Sequence, residues 1–353
     1  MKLIQKQNML KKYLLFVFLG LQCINAFSFY QLESEIRIKS KAPDWDYLAY
    51  DQIKGRLFLS LRDDGVMVYD STSKKIISKI EDSAGANSTL LLPNLNLGYT
   101  FNGDGSSTIF NLATLKKIKR TKIGNDADAG FFDPVTHQIL VTMGDSHQAT
   151  FLDAKTGDVV HRLNIDSSKI DGVVANGDGY FFMALRDKNA VIKINNRSHT
   201  IEGTWSTQPC EEPTSLALDS VHQRLMVGCR GKSPLLLIMD SKTGEVKSTY
   251  EIGRGNDGLI FDAEDKKVIT TNGVDSNLIV YSQKSADEYV LQEAVTTRPY
   301  ARTMAMDFKT KKIFTLTAEG VANPAKKINK KVSPFYPNEY YKDTFSILIY
   351  SKH

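Results

Sequence analysis

Apolar runs the length of one strand alternate along this chain with turns rich in Gly, Asn and Asp. No segment sustains the 3.6-residue period of an amphipathic helix, so the pattern predicts strands throughout. The runs come in fours. DYLAYD (46–51), RLFLSL (56–61), GVMVYD (65–70) and KKIISKI (74–80) form the first group. FFDPVTHQILVT with QATFLDAKTGDVV, SLALDSVHQRLMVG with LLLIMDSKTGEVK, and LIFDAEDKKVITTNG with NLIVYS repeat it, with weaker copies around LLLPN and GVVANG.

Landmarks give the period. The Asp that closes the first run falls at Asp51, Asp133, Asp219, Asp262 and Asp307, in steps of 82, 86, 43 and 45. The residue that closes the third run falls at Asp70, Asn111, Asp153, Asn195 and Asp240, in steps of 41, 42, 42 and 45. Four strands in 40–45 residues is the period of a propeller blade. Seven units fit, which predicts an all-β, seven-bladed β-propeller. The seventh unit has ARTMAMD, KKIFTLT and TFSILIYS but no fourth strand. YQLESEIRI (30–38) is expected to supply it and close the ring, with Tyr30, Leu32, Ile36 and Ile38 on one face.

The segments WDYLAYDQIKGRLFLS, CEEPTSLALDSVHQRLMVGC, ARTMAMDFKTKKIF and FSILIYS resemble the YVTN-repeat, YncE-like family of secreted seven-bladed propellers, over essentially all of residues 44–350. The resemblance implies architecture and export and no particular reaction. Members often carry His at the position of Asn87, so this chain departs from the family there.

The N-terminus changes the charge picture. Residues 9–26 read MLKKYLLFVFLGLQCINA, the form of a secretory signal cleaved after Ala26. Residues 27–353 are then one domain. Lys2, Lys6, Lys11 and Lys12 leave with the signal, and 41 basic and 40 acidic residues remain. The balance gives no reason to expect nucleic acid or an anionic membrane surface as partner. No later stretch is long and apolar enough to span a bilayer. The expected address is periplasmic or secreted. Two cysteines remain, Cys210 before the first strand of blade five and Cys229 at the end of its second. An oxidising compartment and antiparallel strands predict a disulfide between them.

Candidate chemistry lies at the channel mouth, where the first strands begin. Counting five positions back from each closing Asp, or from its equivalent in blades two and four, gives Asp46, Asn87, Asp128, Asp171, Thr214, Asp257 and Arg302. The loops after the second strands open on the same face and bring Arg62, Arg186 and Arg230 at equivalent places, with Asn102, Asp145 and Asn272 in the other blades. An acidic ring inside arginines suits a small zwitterionic or hydroxylated ligand, or a peptide end. The competing reading is that each Asp caps its own turn. GRGNDG (253–258) leads into a strand, not a helix, so it is no dinucleotide loop. The six His are scattered without metal-ligand spacing.

An insertion at 318–343 interrupts the last blade. It holds Lys326, Lys327, Lys330 and Lys331, then Phe335, Tyr336, Tyr340 and Tyr341, and topology offers it as a lid or docking loop on the channel face. The expectation is a monomeric binding scaffold for a small polar ligand or a protein partner, with no cofactor. The alternative is a lactonase-like hydrolase on the Asp ring, which a divalent cation would assist.

Overall fold

A computed structural model describes residues 28–40, 44–326 and 337–352. The signal segment, most of the insertion's lysines, Phe335 and Tyr336 lie outside the described residues. Seven four-stranded antiparallel sheets follow one another in chain order. Blade one is Leu48–Asp51, Arg56–Leu61, Gly65–Asp70 and Lys75–Lys79. The inner strands of the next five are Ala86–Leu92, Ala127–Asp133, Ile170–Ala175, Pro213–Asp219 and Asn256–Asp262. The chain is a seven-bladed β-propeller.

Burial explains the hydrophobic pattern. The middle strands are covered on both faces by neighbouring blades, so Arg56–Leu61 is buried at every position. Outer strands face water on one side, and Val159–Asn164 alternates between half-buried and exposed. The periodic Asp and Asn landmarks are turn caps. Asp51 accepts from the N–H groups of Ile53 and Lys54, both at 3.1 Å. Asp219, Asp262 and Asp307 cap their turns in the same way. These side chains replace ladder bonds that a tight turn cannot make.

The ring closes as expected. Met304–Asp307, Lys312–Thr317, Ser346–Lys352 and the N-terminal Tyr30–Arg37 form blade seven. One detail differs from the sequence expectation. A bulge between Leu32 and Ser34 adds a residue and inverts the alternation. Tyr30 packs into the seam between blades six and seven, Ile36 into the seam between seven and one, and Leu32 is exposed. The single face expected for Tyr30, Leu32, Ile36 and Ile38 is therefore split, and one edge strand serves two seams.

Cys210 and Cys229 form a disulfide with their Cα atoms 5.7 Å apart, and both are fully buried. Cys229 directly precedes Arg230, and Cys210 stands two residues before Glu212, so the bridge staples the channel end of blade five. Loop-closure entropy assigns such a link about 3 kcal/mol. The C210S/C229S double variant is expected to unfold at lower urea concentration by that order of free energy. An unchanged midpoint would show that the bridge adds nothing to stability.

Candidate functional site

The ring counted from the sequence assembles at one end of the channel. Asp46, Asn87, Asp128, Asp171, Asp257, Arg302, Arg62, Arg186 and Arg230 line one recess, joined by Tyr47, Asp126, Gly144, Asp145, Lys169 and Ile170. Thr214 is not among them. Its hydroxyl donates to the carbonyls of Gly228 and Asn256 at 3.3 and 3.1 Å, so it ties two inner strands together below the recess. Asn102 and Asn272 are also fully buried, bonded within their own blades. The loops of blades two and six thus contribute no asparagine to the recess.

The ring carboxylates are not turn caps. The hydrogen bonds to Asp46, Asp171 and Asp257 come from side chains of other elements. Arg62 donates to Asp46 at 2.6 Å and to Asn87 Oδ1 at 3.0 Å. Arg186 donates to Asp171 at 3.3 Å and to Glu212 at 3.4 Å. Asp257 lies between Arg230, at 3.3 Å, and Arg302 Nε, at 3.2 Å. Arg302 is 2% exposed; it also donates to the Trp45 carbonyl and stacks its guanidinium 5.0 Å from the Trp45 ring centre. Small side chains fix the backbone that carries the ring. Ser88 donates to the Asp128 carbonyl at 2.5 Å and Thr303 to the Asp46 carbonyl at 2.7 Å.

Asp128 breaks the pattern. Among the described residues its carboxylate has neither a hydrogen bond nor an ion pair, although it faces the recess. The cause is legible in the loops. Arg62, Arg186 and Arg230 each directly follow a second strand. In blade three the same position is Gly144, directly after Gln138–Met143. Asp126 receives the Asp145 N–H at 3.2 Å, and Lys169 is paired with Asp145 at 2.5 Å.

Electrostatics follow from this wiring. Burial raises the Asp46 carboxyl to about 6, with Arg62 and Arg302 pulling it down and Asp257 and Asp44 pushing it up. Burial likewise raises Asp171 to about 6 against Arg186 and Arg230. Asp128 is raised well above the ordinary range by burial and by the charges of Asp46 and Asp171, with Arg62 opposing.

Sequence reasoning missed Tyr47. Its hydroxyl crosses the channel from blade one to donate to Asp171 Oδ1 of blade four at 3.0 Å. Tyr47 lines both this recess and a second cavity deeper in the channel, walled by Leu48, Leu90, Phe131, Val173, Leu216, Leu259 and Met304. It therefore forms a floor. The signal was present: the equivalent residues in the other blades are Ser88, Ala129, Gly172, Ser215, Gly258 and Thr303, all small. The insertion's described part forms a short hairpin, Gly320–Val321 against Glu339–Tyr340, and none of its described residues lines the recess. Tyr340 packs at a tilt against Trp45 instead, 5.6 Å between ring centres.

No family model and no curated protein matches the chain. Solved structures do. A chain in the crystal structure of the mitotic checkpoint complex aligns with a TM-score of 0.71 at 16% identity, over 83% of this chain and 91% of that one. The Kuenenia stuttgartiensis hydrazine synthase aligns with a TM-score of 0.67 at 13% identity, over 79% and 94%. At such identities the likeness concerns the propeller fold alone.

The raised carboxyls give a signed pH dependence. A group with folded pKa above its unfolded value near ~4 contributes stability that is complete below ~4 and is lost as pH rises through the folded pKa. Asp128→Asn mimics the protonated form. Its melting temperature relative to wild type is expected to climb between pH 5 and pH 8, by at least about 2 °C. A difference that stays flat with pH would show that Asp128 ionises normally.

Proposed function

We propose that this is a secreted or periplasmic propeller of the YVTN-repeat, YncE-like kind that binds a small polar ligand at its channel mouth. The observation that carries the reading is the recess itself: six carboxylates and five cations converge on one opening, above a tyrosine floor. Among the described residues, the buried N–H groups of Arg186 Nε and Arg230 Nη2 there lack hydrogen-bond partners, and Arg62 Nε has only the Asp44 carboxylate, 3.4 Å away. Nature leaves few buried donors unmet, and a ligand or its waters can meet them after small side-chain shifts. The lysine-led apolar segment before Ala26 and the disulfide support export.

The unpaired, raised Asp128 favours one second reading, a hydrolase in which this carboxyl transfers the proton. Turnover of a lactone panel by wild type, absent in Asp128→Asn, would identify it.

The binding reading is tested by thermal shift of the purified protein against polar metabolites, with Arg62→Gln and Arg186→Gln alongside. A compound that stabilises wild type is expected to lose most of its shift in both variants. A shift kept in full by both would place the ligand elsewhere and overturn the reading.

A further inference from the structure

The recess is one cation short, and the shortage has a place. Asp46, Asp171 and Asp257 each hold an arginine within 3.3 Å. Among the described residues Asp128 holds none, and Gly144 stands at the place from which Arg62 reaches Asp46 and Arg186 reaches Asp171 in their own blades. The space is built rather than accidental. A Cβ at Gly144 would come 2.9 Å from Asp126 Oδ2, so that carboxylate points across the gap. Ile170 borders the same gap, its N–H bonded to the Gly144 carbonyl at 3.1 Å, and it is the one aliphatic side chain among the described lining residues. On the rim, Lys169 is already engaged by Asp145. Across the recess, the Arg230 side chain is 7% exposed; its Nη1 is paired with Asp257, and its Nη2 has no hydrogen-bond partner among the described residues.

We propose that the ligand supplies the missing cation: a small organic amine whose ammonium sits at Asp128 above Gly144, with its alkyl arm on Ile170. This rests on the channel-mouth reading and narrows it to a ligand class. An ammonium suits the gap because it needs a few oxygen acceptors on one side and tolerates carbon on the other. A hard cation such as Ca²⁺ or Mg²⁺ suits it less, since it requires six or more oxygens, and, among the described residues, no three His, Cys, Asp or Glu side chains gather into a ligating group for any divalent metal. Binding also relieves the repulsion that Asp46 and Asp171 impose on Asp128, so the ligand is favoured by removal of a cost as well as by contact.

The test uses three matched probes at pH 7.5 and a fourth as control: 4-amino-1-butanol, 1,4-butanediol, 4-hydroxybutyrate and calcium chloride. Calorimetry on the whole protein is expected to show the amine binding at least tenfold more tightly than the diol or the anion. Asp128→Asn and Gly144→Arg are each expected to weaken the amine at least tenfold. Gly144 does not require a left-handed backbone, and the Cβ that displaces Asp126 Oδ2 is common to G144R and G144A, so the comparison isolates the guanidinium. In the absence of probe, G144R is expected to melt at least about 2 °C above G144A at pH 8, and adding D128N should cancel that gain. An amine no tighter than the diol, full amine binding by D128N, or a response to calcium alone overturns the proposal. So does G144R melting no higher than G144A. If the diol or the anion binds and Arg186→Gln abolishes it, the channel-mouth reading stands and only the amine falls.

Discussion

Seven inner strands start around one channel, and four of them carry an aspartate at or just before that start. That crowding is the constraint on which the rest of the channel mouth depends. Carboxylates brought together away from bulk water either gain a cation or keep a proton. This protein does both. Loops after second strands send Arg62 and Arg186 inward to Asp46 and Asp171, and Arg230 joins Arg302 on Asp257. Asp128 has only Arg62 at a distance to offset its neighbours, and burial pushes its pKa up. The ring is thus a balance of charges whose one open term is located in blade three.

The pairs hold their places because the walls behind them are rigid. Arg302 is pinned by Asp257 on one side and by the Trp45 ring and carbonyl on the other. Trp45 in turn is packed by Phe345 and by Tyr340 of the insertion. Arg230 follows a disulfide cysteine, and Arg186 reaches Glu212, two residues beyond the other. The bridge therefore serves two arginines on adjacent blades. Tyr47, bonded to Asp171 across the axis, divides the polar recess from the apolar cavity beneath it.

Much of this was legible before any coordinates. A regular 41–45-residue spacing of Asp and Asn set blade number and strand order, because the turns that need those caps recur once per blade. Counting back from the caps found six of the recess residues, and the loops after the second strands added Arg62, Arg186, Arg230 and Asp145, since equivalent positions in a repeat share a place about the axis. The same count could not tell Asp128 from Asp133. They lie at opposite ends of one strand, yet the Asp133 carboxylate accepts from the N–H groups of Val135 and Thr136 while the Asp128 carboxylate, among the described residues, accepts none. Thr214 failed for a related reason: a short hydroxyl side chain finds backbone carbonyls before it reaches an opening. The bulge at Leu32/Ser34 was hidden because an inserted residue leaves composition unchanged and alters only the phase of the alternation.

What the sequence lacked was a rule for exceptions, and the exceptions carry the function. A repeat makes likeness between blades easy to see, and physical crowding makes the unlike residue informative. Tyr47 is large where six counterparts are small, and six small residues are what leave a ring able to cross the axis. Gly144 leaves open a place that arginine fills in three blades and glycine again in two, at Gly103 and Gly273, but in blade three it stands beside a ring carboxylate that no arginine pairs among the described residues. If Gly144 were only a loop residue, Asp128 would cost stability at neutral pH and gain nothing for the molecule. A carboxylate kept half-buried, without a partner among the described residues and facing an opening, implies that its partner arrives from outside.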